Sequence, residues 1–157
     1  MTHNIKQVRP NGRYKAGQIN PESCKKLFES QKHVPIIYRS SYEKDFIHWL
    51  ERSPRVSRWG SECVGIPYRN LGDGTSHTYY PDYIIEMIKD DGTKKILLVE
   101  VKPWKQTQKP DAMLPMDSYA WKEYVRNCSK WKAAQEFAQR YGAEFRIITE
   151  RTIQRLK

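Results

Sequence analysis

The segment from Ile96 to Lys102 constrains the fold of this chain more than any other. Its unbroken apolar run, Ile96-Leu97-Leu98-Val99, reads as a buried strand, and the run ends on Glu100-Val101-Lys102. Burying a carboxylate or an ammonium costs several kcal/mol unless the charge is paired or holds a metal. Side chains two apart on a strand share a face, so Glu100 and Lys102 project together while Val101 points away.

The preceding segment supplies a third group. Tyr79 to Lys89 is rich in Tyr, Ile and Met and reads as a strand, and Asp90-Asp91-Gly92 then turns the chain. This loop suits a three-residue hairpin, a type I turn whose last residue is left-handed and therefore glycine. In that register Lys89 pairs with Thr93, and Asp82, which follows Pro81, falls opposite Glu100 on the same face of the sheet. A two-residue loop puts Asp82 on the other face. Tyr83 and Val101 are then expected to point into the layer covered by a helix.

Two facing carboxylates repel unless a cation lies between them. Hard oxygen ligands with open water positions suit Mg²⁺ or Mn²⁺, which activates water and neutralises charge on a phosphoryl oxygen. Lys102 beside them can orient the attacking water, take its proton or stabilise developing negative charge. A salt-bridged sheet end uses the same three residue types. The apolar strand, the loop register and the basic composition favour the metal site.

Pro81-Asp82 with Glu100-Val101-Lys102 resembles the signature of the PD-(D/E)xK nuclease superfamily. Further segments, Tyr38-Arg39-Ser40-Ser41-Tyr42-Glu43, Arg58-Trp59-Gly60-Ser61-Glu62, Ile66-Pro67-Tyr68 and Lys130-Trp131-Lys132-Ala133-Ala134-Gln135, are similar to those of the head completion nucleases of tailed bacteriophages. The resemblance spans about Ile36 to Arg151. It implies a restriction-endonuclease-like αβββαβ core with a mixed central sheet. It also implies endo- and exonuclease activity late in head morphogenesis, before tail joining, with phage head or portal proteins as partners. With no stretch that reads as a signal peptide or membrane span, a soluble phage protein is expected in the host cytoplasm, in association with the assembling virion. The resemblance assigns the metal to Asp82 and Glu100, and adds Glu43, because the first-helix glutamate of such nucleases reaches the metal. The residues alone read differently there: Ser40-x-x-Glu43 is a capping box, so Glu43 caps backbone N–H groups. Gln135 resembles a helix glutamine that some of these nucleases place near the site. Two alternatives stand beside this reading. One is a repair, restriction or transposition endonuclease on the same core, and the other is a non-catalytic DNA-binding head–tail adaptor, which has no need of Asp82, Glu100 and Lys102.

The formal charge is +10, and residues 1–39 hold eight Lys and Arg against two Glu, a net +6. Such a balance points to a polyanionic partner, most often DNA. Residues 1–35 read as a basic arm with a short helix started by Asn20-Pro21, and residues 36–157 as the nuclease domain. Lys6, Arg9, Arg13 and Lys15 of the arm are candidate phosphate contacts, though a basic arm also docks on acidic protein. Cys24, Cys63 and Cys128 are odd in number and lack CxxC spacing, so free thiols in a reducing compartment are expected. No stretch reads as a signal peptide or membrane span, and no membrane partner is expected.

The remaining elements follow from periodicity. Ser40 to Arg52 reads as a helix stopped by Ser53-Pro54. Arg58 to Tyr68 reads as a strand, giving with the next two an antiparallel meander. Pro103 to Pro115 is a loop directly after Lys102. Trp104 there can stack on a base and Lys105 and Lys109 can meet phosphates, or the loop is a connector. Asp117 to Tyr141 is helical, with Ser129 able to cap a second helix after a break, and Gly142 a C-cap. Lys130 and Lys132 either touch phosphate or form a solvated face. Phe145 to Thr149 is a last strand, parallel to Ile96–Val101.

Overall fold

The computed structural model describes residues 16–156. Strands β1 (Gly17–Ile19) and β2 (Ile36–Tyr38) form an antiparallel ribbon, followed by α1 (Ser41–Arg52). Next come β3 (Val56–Ser61) and a hairpin of β4 (Ile66–Arg69) with β5 (Ser76–Tyr79). Then follow β6 (Tyr83–Ile88), β7 (Lys94–Val101), the short α2 (Trp104–Thr107), the long α3 (Tyr119–Arg140), β8 (Glu144–Ile148) and α4 (Glu150–Leu156). The central sheet runs β3-β6-β7-β8, antiparallel except for the parallel β7/β8 pair. This is a mixed sheet in an αβββαβ order, with the β4/β5 hairpin inserted after β3.

The three-residue loop sets the register. Gly92 lies at φ 84°, its N–H donates to the Lys89 carbonyl over 2.9 Å, and the Lys89 N–H donates to the Thr93 carbonyl over 2.8 Å. The ladder then pairs Ile88 with Lys94, Ile85 with Leu97 and Tyr83 with Val99. Alternation divides the sheet into two layers. Tyr83, Ile85, Leu97 and Val99 pack with Phe46, Ile47 and Leu50 of α1 and Ile153 of α4. Ile84 and Leu98 face the other way, toward Ala134 and Ala138 of α3 and Ile66, Tyr68 and Tyr79 of the hairpin. Each large apolar side chain so buried contributes about 1.5–3 kcal/mol.

Several elements differ from the sequence expectation. The expected strand Tyr79–Lys89 is two: Tyr79 ends β5 and Tyr83 opens β6, with Pro81, which has no N–H to give a ladder, between them. The expected strand Arg58–Tyr68 is also two: Glu62 adopts φ 50° and sends the chain out of the sheet into β4. The helix expected from Asn20 shrinks to two 3₁₀ turns, Pro21–Ser23 and Glu29–Gln31. Between them the chain runs along β3, exchanging hydrogen bonds with Trp59 and burying Leu27 in the core. α3 does not break at Ser129. That hydroxyl donates to the Val125 carbonyl and accepts from the Leu71 N–H, which holds the β4/β5 loop on the helix. The helix α4 has no counterpart in the sequence reading.

Candidate active site

At the end of the sheet where β6 begins and β7 finishes, Arg39, Tyr42, Glu43, Asp82, Glu100, Lys102 and Gln106 line a cleft of about 320 Å³. The β6/β7 ladder ends with Tyr83 paired to Val99, and Asp82 and Glu100 are the residues directly beyond that pair. The Val101 N–H donates to Asp82 Oδ2 over 2.7 Å. The Asp82 carbonyl accepts from the N–H of Glu62, just past β3. The residue is thus fixed from both neighbouring strands.

Glu100 is 8% exposed. Its Oε2 accepts from the Tyr79 hydroxyl over 2.6 Å, and its Oε1 lies 3.4 Å from Lys102 Nζ. Carboxylate, lysine and tyrosine therefore meet on the face predicted from side-chain alternation. Tyr83 and Val101 point to the opposite, α1-covered layer, as expected.

Glu43 comes from the first turn of α1, and both readings of it find support. Its N–H donates to the Ser40 hydroxyl, which caps α1, and its own Oε2 reaches back past the cap to the Arg39 N–H over 2.7 Å, half of the expected capping box. It also lines the cleft with Asp82 and Glu100. Beside it Arg39 is ion-paired with Glu62.

The electrostatics are those of crowded negative charge. Burial holds the Asp82 carboxyl well above the usual aspartate range, and Glu100 and Glu43 push it further in the same direction. Burial likewise raises Glu43, against the opposing effect of the Arg39 backbone hydrogen bond. Tyr79 is raised by burial and by the Glu100 charge it faces, so it remains a donor. Among the described residues, no three His, Cys, Asp or Glu side chains are arranged as a ready metal site. The donor chemistry nevertheless fits a hard divalent cation: three carboxylates share one cleft, and burial first of all holds two of them above the usual carboxylate range.

The other candidates are dispersed. Trp104 is 37% exposed, and the Arg151 guanidinium lies over its ring at 3.7 Å. Lys105 is exposed; Lys109 is exposed and sits over the buried Trp121 ring. Lys130 is half-buried above the rings of Tyr68 and Tyr79, and Lys132 is exposed on the same helix. Gln135 lines a different groove, with Ala143 and Phe145, and not the acidic cleft. Lys6, Arg9, Arg13 and Lys15 lie outside the described residues. Tyr79, Arg39 and Glu62 are site groups that sequence reasoning missed. The signal for Tyr79 was the tyrosine pair just before Pro81-Asp82; the other two lay within quoted motifs.

Residues 53–150 match the family of TnsA-like endonuclease N-terminal domains. That match contains Asp82, Glu100 and Lys102 and begins after Glu43. The head completion nuclease of Enterobacteria phage T4 is 35% identical over 142 residues, covering 86% of this chain and 91% of that protein.

Proposed function

The chain belongs to the family of TnsA-like endonuclease N-terminal domains, and from that premise we propose that it hydrolyses DNA phosphodiester bonds with a divalent cation, acting in phage head completion before tail joining. The observation that carries this reading is the convergence of Asp82, Glu100, Lys102 and Glu43 in one cleft. Asp82 and Glu100 would hold the cation, Mg²⁺ or alternatively Mn²⁺, with Glu43 as a third carboxylate. Such an ion, when bound, activates water and neutralises charge on the phosphoryl oxygen.

The chain's own residues do the rest. Tyr79 fixes the orientation of Glu100 through a buried hydrogen bond. Lys102, anchored 3.4 Å from Glu100, orients the attacking water or stabilises charge on the phosphate. Trp104, Lys105, Lys109, Lys130, Lys132 and the N-terminal Lys6, Arg9, Arg13 and Lys15 supply backbone and stacking contacts to DNA. The relative's similarity over nearly its whole length favours head completion over repair, restriction or transposition, with phage head or portal proteins as partners. No helix among the described residues is long and apolar enough to cross a membrane.

The test is incubation of purified protein with supercoiled and linear DNA, with Mg²⁺, with Mn²⁺ and with EDTA. Nicked or degraded DNA in the metal lanes alone supports the proposal. Equal cleavage in EDTA overturns the metal mechanism, and intact DNA in every lane favours the adaptor.

A further inference from the structure

Among the described residues, one buried side-chain polar atom has no hydrogen-bond partner: the hydroxyl of Tyr83. The residue is 1% exposed, its ring edge-on to Phe46 at 5.2 Å and to Trp59 at 6.1 Å. A tyrosine whose hydroxyl finds no partner is worse there than phenylalanine, because an unsatisfied buried donor carries the full cost of its desolvation.

The surroundings of this hydroxyl are not random core. Phe46 lies one turn of α1 beyond Glu43. Tyr83 pairs with Ser61, next to Glu62, and follows Asp82 directly. Burial first, then the charges of Glu43, Asp82 and Glu62 against that of Arg39, keep the hydroxyl protonated. It therefore sits behind the acidic cleft, on the α1 side. Glu43 has room for a further donor: the Arg39 N–H and the Ser40 hydroxyl both reach Oε2, which leaves Oε1.

We propose that Tyr83 is a positioning residue, whose hydroxyl donates to Glu43 when that carboxylate turns from capping α1 toward a cation held with Asp82 and Glu100. With a cation held there, the hydroxyl gains the partner it otherwise lacks. The inference rests on the proposed function and refines it: Tyr83 stores a small instability that cation binding relieves.

Tyr83→Phe tests this, because it removes one oxygen and keeps the ring contacts. In EDTA the variant should melt higher than wild type, by roughly 2–4 °C for a domain of this size, as the desolvation cost of the hydroxyl is recovered. Its affinity for Mn²⁺, followed by the electron paramagnetic resonance signal of free Mn²⁺, should fall about tenfold, the ordinary loss for one hydrogen bond to a charged group. At saturating Mn²⁺, kcat on linear DNA should fall with little change in KM. In a double-mutant cycle with Glu43→Gln, the two losses in Mn²⁺ affinity should be less than additive. A Tyr83→Phe protein that melts lower than wild type, or binds Mn²⁺ as well, overturns the inference while leaving the nuclease proposal intact. Wild-type protein that neither binds Mn²⁺ nor cuts DNA overturns both.

Discussion

Asp82→Asn separates a site built for function from one built for stability. Asp82 and Glu100 line one cleft, each directly beyond the last β6/β7 pair, Tyr83 with Val99. Two unit charges about 5 Å apart repel by roughly 3 kcal/mol at an effective dielectric of 20, and by under about 1 kcal/mol in water. Asparagine removes that repulsion, and its side-chain oxygen can still accept from the Val101 N–H. The variant should therefore gain about 1–3 kcal/mol in EDTA, a rise in Tm of roughly 3–10 °C. The pH dependence has a definite sign. The Asp82 carboxyl is raised in the folded state, first by burial and then by Glu100 and Glu43. The wild type is therefore relatively most stable below the ordinary aspartate range, and loses that advantage as pH rises through the folded value. The Tm gap between Asp82→Asn and wild type should be near zero at about pH 3.5 and widen toward about pH 8. Cleavage by the variant should fall on the order of 10²-fold or more. Thermal melts in EDTA across that pH range decide the matter. A variant less stable than wild type at the alkaline end refutes the reasoning, because Asp82 would then be a structural hydrogen-bond acceptor in a balanced site.

Glu43→Gln keeps a side-chain acceptor for the Arg39 N–H, so the protein should fold as wild type and lose cleavage on the order of 10²-fold; full activity in a DNA assay leaves Glu43 as a cap only. Tyr79→Phe deletes the 2.6 Å hydrogen bond to Glu100 and should cost about 1.5–3 kcal/mol in urea denaturation, with a roughly tenfold slower cleavage; unchanged kinetics would show that Glu100 needs no such anchor. Deleting residues 1–15 removes Lys6, Arg9, Arg13 and Lys15, and should flatten the log–log salt dependence of DNA binding by up to ~0.9 for each phosphate these side chains neutralise. An unchanged slope assigns the arm to an acidic protein surface.

The acidic centre was legible in the sequence because its determinants are local. The loop Asp90-Asp91-Gly92 demanded a left-handed third residue, and strand alternation carried that register along the hairpin as far as Tyr83 and Val99, the neighbours of Asp82 and Glu100. The capping box at Ser40 and Glu43 was equally local. What escaped depends on competition between distant partners. Tyr79 has the β-propensity of its neighbours, yet it pairs with Ile66 in a separate hairpin, and from there its hydroxyl reaches Glu100. Glu62 adopts a backbone angle that its type rarely takes, so nothing in its identity announced the break after β3. Ser129 carried the signal of a cap, but its hydroxyl is spent within α3 and on the β4/β5 loop. Only resemblance put Gln135 near the site, and helix phase turns it toward β8 instead.

The claim that Asp82 and Glu100 share one cation has a direct measurement: anomalous scattering from crystals of the protein soaked in Mn²⁺. A peak is expected within about 2.0–2.3 Å of one oxygen from each carboxylate, with Glu43 turned toward it, and loss of that peak in Asp82→Asn crystals. A Mn²⁺ peak bound elsewhere, in a protein that still cuts DNA, would contradict it.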